Sequence, residues 1–277
     1  MPESPEVQAL ADFLDARVAG HEVTDVDLLE FRTLKTRARP LTTLVEATAS
    51  SVHRIGKHLD IAFASAFDAP HLVVSLGRHG WVRWSEPGED APTDPPTLAS
   101  ILFDDGGTME FTDAGSWVSV GLHIVDAASD VPAIAKLGPD PADPGFTRDV
   151  FAAALGGRRK QVKAILQEQE SMAGIGNAYS DEALHAAKIS PVLHASELTD
   201  DDVTRLYEAT TATVRGAITA RRGTPIDQLK AAKVASMHVH GRAGEKCPVC
   251  GGAVQEFRFA STTAYYCPTC QTGGELL

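Results

Sequence analysis

The sequence predicts an α+β chain: an N-terminal β-sandwich with a flanking helix over residues 1–136, a linker at 137–146, a helical domain over 147–243 and a small cysteine-anchored module over 244–277. Three observations carry this reading. Between residues 21 and 125 apolar side chains fall in short, partly alternating stretches separated by turn signals, as in half-buried strands. Beyond Gly145 the period changes to that of amphipathic helices. All four cysteines lie after residue 246. A length of 277 residues suits about two domains of roughly 100–200 each, and a 43% hydrophobic fraction supports packed cores instead of disorder.

Taken in order, the first element is a helix over 4–19, where Val7, Leu10, Leu14 and Val18 recur at helical spacing and Gly20 is the stop. The strand candidates are EVTDVDLL, HLDIAFA, HLVVSLG, WVRW, ASILFDD, TMEFTD and WVSVGLHIV. Asp105-Gly106-Gly107 and a proline-rich run from Pro87 to Pro96 punctuate them, which suits a two-sheet sandwich. LGPDPADPG, at 137–145, is too dense in turn residues to be anything but a linker. Helices are then expected over 147–155, 160–170, 177–187 and 200–222.

Charge cuts against a nucleic-acid ligand. Lys plus Arg is 25 against 37 for Asp plus Glu, a net of −12, and phosphates are held by Lys and Arg. The imbalance is uneven: residues 1–156 carry 11 basic and 24 acidic side chains, net −13, while 157–277 carry 14 and 13, net +1. No apolar run reaches the ~18 residues of a membrane span, and the acidic N-terminus lacks the pattern of a secretory signal. Four cysteines in so long a chain point to a reducing compartment, hence a cytoplasmic location.

Cys247-Pro-Val-Cys250 and Cys267-Pro-Thr-Cys270 form C-x2-C-x16-C-x2-C, the spacing of a four-cysteine zinc site, with a hairpin expected over 257–266. One zinc ion with four protein ligands is structural, because no coordination position is left open. Upstream, a helix containing Lys163-Ala164-Ile165-Leu166 stops near Ser171. Gly174-Ile175-Gly176-Asn177 then turns the chain into the next helix, with Asn177 as the expected N-cap. Such a turn aims backbone N–H groups at a helix start, where a phosphate can sit; a plain connector has the same composition.

These blocks together resemble one family. KAILQEQESMAGIGNAYSDEALHAAKISP resembles the helix–two-turn–helix of the formamidopyrimidine-DNA glycosylase/endonuclease VIII (Fpg/Nei) family, and HVHGRAGEKCPVCGG with AYYCPTCQ resembles its zinc finger. MPESPEV resembles its Pro-Glu N-terminus, RIGKHLD its lysine-bearing hairpin, and LGPDP its linker. The resemblance implies a base-excision repair enzyme, a DNA glycosylase with AP-lyase activity. In it Pro2, freed by removal of Met1, is the nucleophile and Glu3 the acid/base residue. Lys57 contacts phosphate beside the lesion, and Lys163 and Asn177 contact phosphate from the helix–two-turn–helix. The partner implied is damaged double-stranded DNA, bent with its target nucleotide flipped out, bound by a monomer and without a membrane.

Three departures from the family pattern stand out. Thr262 occupies the place of a phosphate-gripping finger arginine, with Arg258 four residues earlier as the candidate substitute. Arg78 in LGRHG replaces a void-filling methionine, and Gly115-Ser116-Trp117 replaces an Arg-Arg-Phe cluster, so Trp117 is either a wedge between bases or a buried core residue. The stretch 223–238, where oxidised-purine enzymes carry a lesion-capping loop, is short. The departures keep a second reading open, a protein that binds lesions or abasic sites with reduced or lost excision. A third is a zinc ribbon with a protein partner, which the acidic N-terminal half suggests. If DNA is the ligand, Lys160, Lys163, Arg242 and the finger are expected to supply most of the phosphate grip.

Overall fold

The computed structural model describes residues 1–66, 68–89, 92–259 and 262–277, with the backbone alone at Phe259 and Thr262. The chain packs as two compact units. One consists of Met1–Pro2, Glu6–Ala135 and Arg222–Leu229; the other consists of Glu3–Pro5, Lys136–Arg221 and Lys230–Leu277.

The N-terminal unit holds most of helix α1 (Ser4–Val18) and eight strands: β1 (Val23–Leu28), β2 (Thr48–Ile55), β3 (His58–Ala64), β4 (His71–Ser75), β5 (Gly80–Ser85), β6 (Thr97–Phe103), β7 (Thr108–Asp113) and β8 (Gly121–Val125). They form two antiparallel four-stranded sheets, ordered β2-β3-β4-β8 and β1-β6-β7-β5. Alternate residues of the two sheets, Leu59, Ile61, Leu72 and Leu122 from one and Val82, Ile101, Met109 and Phe111 from the other, share a single core. Val7, Leu10, Leu14 and Val18 of α1 are fully buried in that core, which is the expected sandwich with its flanking helix. A short helix, α2 (Pro132–Ala135), ends the continuous part of the unit. From the segment that rejoins it later, the Ile226 carbonyl accepts the Trp81 indole N–H at 3.1 Å.

Strand β2 lacks the regular alternation of the other strands, and the register explains why. A bulge between Ala49 and Ser51 breaks its pairing with β3, so inward residues Ala49 and Val52 lie three apart instead of two. Strand β8 is shorter than WVSVGLHIV, because residues 117–120 belong to a loop held by Asp113.

The C-terminal unit contains α3 (Arg148–Leu155), α4 (Val162–Gln167), α5 (Asn177–Ala187), α6 (Asp200–Arg221), nearly all of α7 (Leu229–Ser236), the hairpin β9 (Gln255–Phe259) and β10 (Thr262–Tyr266), and α8 (Pro268–Gln271). The Thr147 hydroxyl caps α3, which ends on Gly156 at φ 60°. Helix α4 is shorter than the expected 160–170. Residues 160–162 instead pair with 193–195, the Val162 N–H donating to the Leu193 carbonyl at 2.9 Å and Ala195 N–H to the Lys160 carbonyl at 3.0 Å. Glu168, where α4 stops, pairs with both Arg158 and Lys160. Burial works to raise its carboxyl, but Lys160, the Ser171 hydroxyl and Arg158 together hold it down to about 2. Helix α7 falls within 223–238, for which the sequence predicts no helix.

Candidate active site: a carboxylate at a helix start

The glycine turn 174–176 exposes the first N–H groups of α5, and the group they bind is Glu3. Its carboxylate is 2% exposed. Oε2 accepts from Gly176 N–H at 2.5 Å and Tyr179 N–H at 3.4 Å, and Oε1 accepts from Ala178 N–H at 3.1 Å. The Lys233 ammonium donates to Oε1 at 3.1 Å and lies 4.9 Å from the centre of the Tyr179 ring. Ser4 N–H donates to the Gly174 carbonyl at 3.1 Å, fixing the segment that carries Glu3. Backbone donors and the positive end of the helix dipole suit an anion, and these four groups are all donors.

This corrects two expectations. The seat at the start of α5 is filled by the chain's own carboxylate instead of waiting for a phosphate. Asn177 is not the N-cap: Gly176 takes that position, with no side-chain cap. Glycine is required there by space, since a Cβ at 176 would come within 2.6 Å of Glu3 Cδ. Asn177 turns aside, its Nδ2 donating to the Thr263 carbonyl of β10 at 2.9 Å and its Oδ1 accepting from Gln167 Nε2 at 3.2 Å. Pro2 is buried and immediately precedes Glu3.

Lys163 is 5% exposed and points inward, donating to Asp181 at 2.5 Å, Ser180 Oγ at 3.0 Å and the Asn177 carbonyl at 3.3 Å. Burial pushes its ammonium below the usual lysine range, against the opposing pull of Asp181 and Glu3. Asp181 also meets His240 Nδ1 at 2.8 Å, and Glu182 accepts the N–H groups of His238, Val239 and His240, each at 2.9 Å. Two buried carboxylates of α5 thus hold the segment leading into the finger. Lys160 and Arg242, expected to grip phosphate, are paired with Glu168 and Glu245.

In the N-terminal unit Lys57 is half-buried in the two-residue turn between β2 and β3, where Gly56 takes φ +58°. Arg54 braces that turn, donating to the Gly56 carbonyl at 2.9 Å and to Gln8 Oε1 at 3.0 Å. Arg78 and Trp117 sit on two loops tied together by Ser119, whose Oγ accepts Arg78 N–H at 3.1 Å and donates to Asp113 at 2.8 Å. Asp113 also accepts N–H groups of Gly115, Ser119 and Val120. Burial works to raise its carboxyl, yet those donors hold it below the usual carboxylate range. Trp117 is 81% exposed, so of its two sequence readings the core residue is excluded.

The four cysteine sulfurs converge within 4.8 Å of one another, Cys247 and Cys270 at 4.0 Å and Cys250 and Cys267 at 3.4 Å. Tetrahedral thiolates on zinc stand about 3.8 Å apart, so the donor set fits one structural zinc ion. The Gly252 N–H lowers the Cys250 thiol to about 7. His185 Nε2 lies 3.3 Å from Cys247 Sγ, an outer support for the site. Arg258 on β9 is an exposed side chain near Glu256, opposite Thr263. The Thr262 side chain lies outside the described residues. Sequence reasoning missed Lys233, Tyr179, Asp181 and Glu182, whose importance is set by partners far away in the chain.

Family models match all three parts of the chain. The formamidopyrimidine-DNA glycosylase N-terminal domain covers residues 1–117, its H2TH domain 137–228, and the zinc finger found in FPG and IleRS 244–273. A formamidopyrimidine-DNA glycosylase of Symbiobacterium thermophilum is 32% identical over 282 residues, covering 98% of this chain and 89% of the relative. Among solved structures, the Lactococcus lactis enzyme in complex with DNA containing N7-benzyl-Fapy-dG superposes with a TM-score of 0.86 at 26% identity, covering 98% of this chain and all of that one. The same enzyme bound non-covalently to DNA containing an AP site gives 0.84 at 26% identity, with 98% and 99% covered. With matching domains in order and near-complete coverage, the chain belongs to the formamidopyrimidine-DNA glycosylase (Fpg/Nei) family.

Proposed function

We propose that this protein is a DNA base-excision glycosylase with AP-lyase activity, acting on damaged double-stranded DNA through a Schiff base on Pro2. The observation that carries the reading is Glu3: an almost fully buried carboxylate, fixed by three backbone N–H groups and an ammonium, one residue from the nucleophile. After removal of Met1, the secondary amine of Pro2 attacks C1′ of the damaged nucleotide, and the base departs with the glycosidic electron pair and a proton; the C1′–O4′ bond then opens, the ring oxygen taking up a proton. The iminium that results acidifies the C2′ proton. Glu3 accepts that proton and the C–H electrons neutralise the iminium as an enamine; the enamine then forms the C2′=C3′ bond, regenerating the iminium, and the 3′ phosphate leaves with the C3′–O electron pair. Lys57, Arg78, Trp117 and Arg258 are the side chains proposed to meet the DNA. Lys163 and Asn177 contribute by shaping the start of α5 and the finger contact. Zinc, held by Cys247, Cys250, Cys267 and Cys270, keeps the hairpin that carries Arg258 in shape.

Borohydride trapping on duplex DNA with an abasic site tests this directly. The mature chain should form a covalent adduct that Pro2→Ala largely abolishes. Absence of an adduct, or one undiminished in Pro2→Ala, overturns the reading. Tight lesion-dependent binding without strand cleavage would identify a binding protein instead.

A further inference from the structure

Helix α7 brings a lysine to Glu3 that neither the family motifs nor the zinc spacing singles out. Lys233 is 13% exposed at its side chain and Glu3 3%, so their 3.1 Å ion pair is largely shut off from water. A buried carboxylate and ammonium each carry a desolvation cost of several kcal/mol, and a pair persists in such a place only with additional hydrogen bonds. Here the three α5 N–H groups supply them on the carboxylate side. On the lysine side the Tyr179 ring face lies under the ammonium.

The charged groups around Glu3 separate into two sets. Lys163 of α4 acts on it through space, but its ammonium is committed to Asp181 of α5 at 2.5 Å, and that pair is close to neutral overall. Lys233 of α7 is a cation in direct contact with the carboxylate. Along the chain, Glu6 is a second buried carboxylate three residues further into α1, and the Pro2 amine appears once Met1 is removed. An ammonium on Oε1 favours the ionised form of the carboxylate and fixes which oxygen is spent on binding.

We infer that Lys233 is a positioning residue for Glu3, keeping its carboxylate ionised and seated on α5 so that Glu3 acts as a proton acceptor. The inference rests on the glycosylase–lyase reading. It makes a distinct claim about pH, because a Glu3 without its cation protonates at higher pH and the acceptor is lost there. The sign follows from the charge: removing the cation destabilises the anion, its titration midpoint rises, and the acidic limb of the elimination rate moves up with it.

The test uses the full zinc-loaded chain with Met1 removed, in wild-type, Lys233→Met and Lys233→Arg forms. Carbon-13 NMR of the glutamate carboxyls, with Glu3 assigned by its loss in Glu3→Gln, follows the Glu3 titration. Single-turnover cleavage of abasic-site duplex gives the rate against pH. In Lys233→Met the Glu3 midpoint and the acidic limb should both move up by about one pH unit. The rate on that limb should fall about tenfold, and Lys233→Arg should restore both. A Glu3 midpoint that stays in place in Lys233→Met overturns the inference. So does a midpoint that moves while the rate profile does not, which leaves the pair merely structural. A wild-type chain that cleaves no abasic DNA overturns the catalytic use of the pair together with the lyase reading. The NMR titration then still distinguishes a failed reaction from a failed ion pair.

Discussion

At the scale of single residues, the site depends on what is absent at Gly176. Its backbone is extended and any residue could adopt it, so conformation does not demand glycine. The demand is steric, because Glu3 Cδ, Oε2 and Cγ all lie within 2.9 Å of where a Cβ would stand. Gly176→Ala should therefore push the carboxylate off the α5 N-terminus while leaving the finger loaded with metal. The expected outcome is a loss of at least about tenfold in abasic-site cleavage, with zinc content unchanged, since general acid–base groups typically contribute 10²–10⁴. An alanine variant that cleaves at the wild-type rate would show that the seat of Glu3 is irrelevant to the chemistry. Lys163 teaches a related point. Its charge reads as a phosphate contact in the sequence, but its ammonium has three internal partners and little exposure.

At the scale of elements, Asp113 at the end of β7 organises the loop that presents Trp117 and, through Ser119, the loop that presents Arg78. Removing the carboxylate leaves several N–H groups and a hydroxyl without their acceptor. Asp113→Ala should cost about 1–3 kcal/mol at neutral pH by denaturant unfolding. The pH dependence follows from its lowered carboxyl. A depressed folded-state value gives stability that is present above the unfolded value of about 3.9 and lost as pH falls through the folded one. The difference between wild type and Asp113→Ala should thus be full near pH 6 and shrink below about pH 4. A difference that does not vary with pH would mean that the carboxylate's charge plays no part in holding the loops. The same scale explains the short α4. Local propensity favoured a helix over 160–170, but pairing of 160–162 with 193–195 satisfied the backbone first.

At the scale of the whole molecule, the net charge of −12 describes the surface and says little about the site. Residues 157–277 are near neutral at +1, yet Arg158, Lys160, Lys163 and Arg242 are all engaged by carboxylates of their own unit. The finger illustrates the other whole-chain constraint. Among the described residues its buried apolar cluster is Val239, Cys247, Val254 and Cys267, with Tyr265 and Cys270 packed against it, a small core to hold a hairpin without a metal. Chelation should abolish hydrogen-exchange protection over 244–273 while the β3 and β4 amides of the sandwich keep theirs. Equal loss in both units would show that zinc supports the entire chain, and retained protection in the finger would show that it folds without the ion. Among the described residues no helix is long and apolar enough to cross a membrane.

Local information in the sequence determined a good deal: the α1 stripe, most strands of the sandwich, the boundaries of α5 and α6, and the cysteine spacing. Each depends on periodicity or spacing within a few dozen residues. The motifs likewise singled out Pro2, Glu3 and the glycine turn. Only the tertiary structure decided what these parts do to one another. Glu3 lies 173 residues from the Gly176 N–H it accepts and 230 from the Lys233 that pairs with it. Asn177 and Lys163 were recognisable as important, but their partners, Thr263 and Asp181, come from packing. The physical reason is range. Periodicity reports which face of an element is buried, whereas the charge state and aim of a buried polar group depend on whichever distant donors the fold brings within about 3 Å.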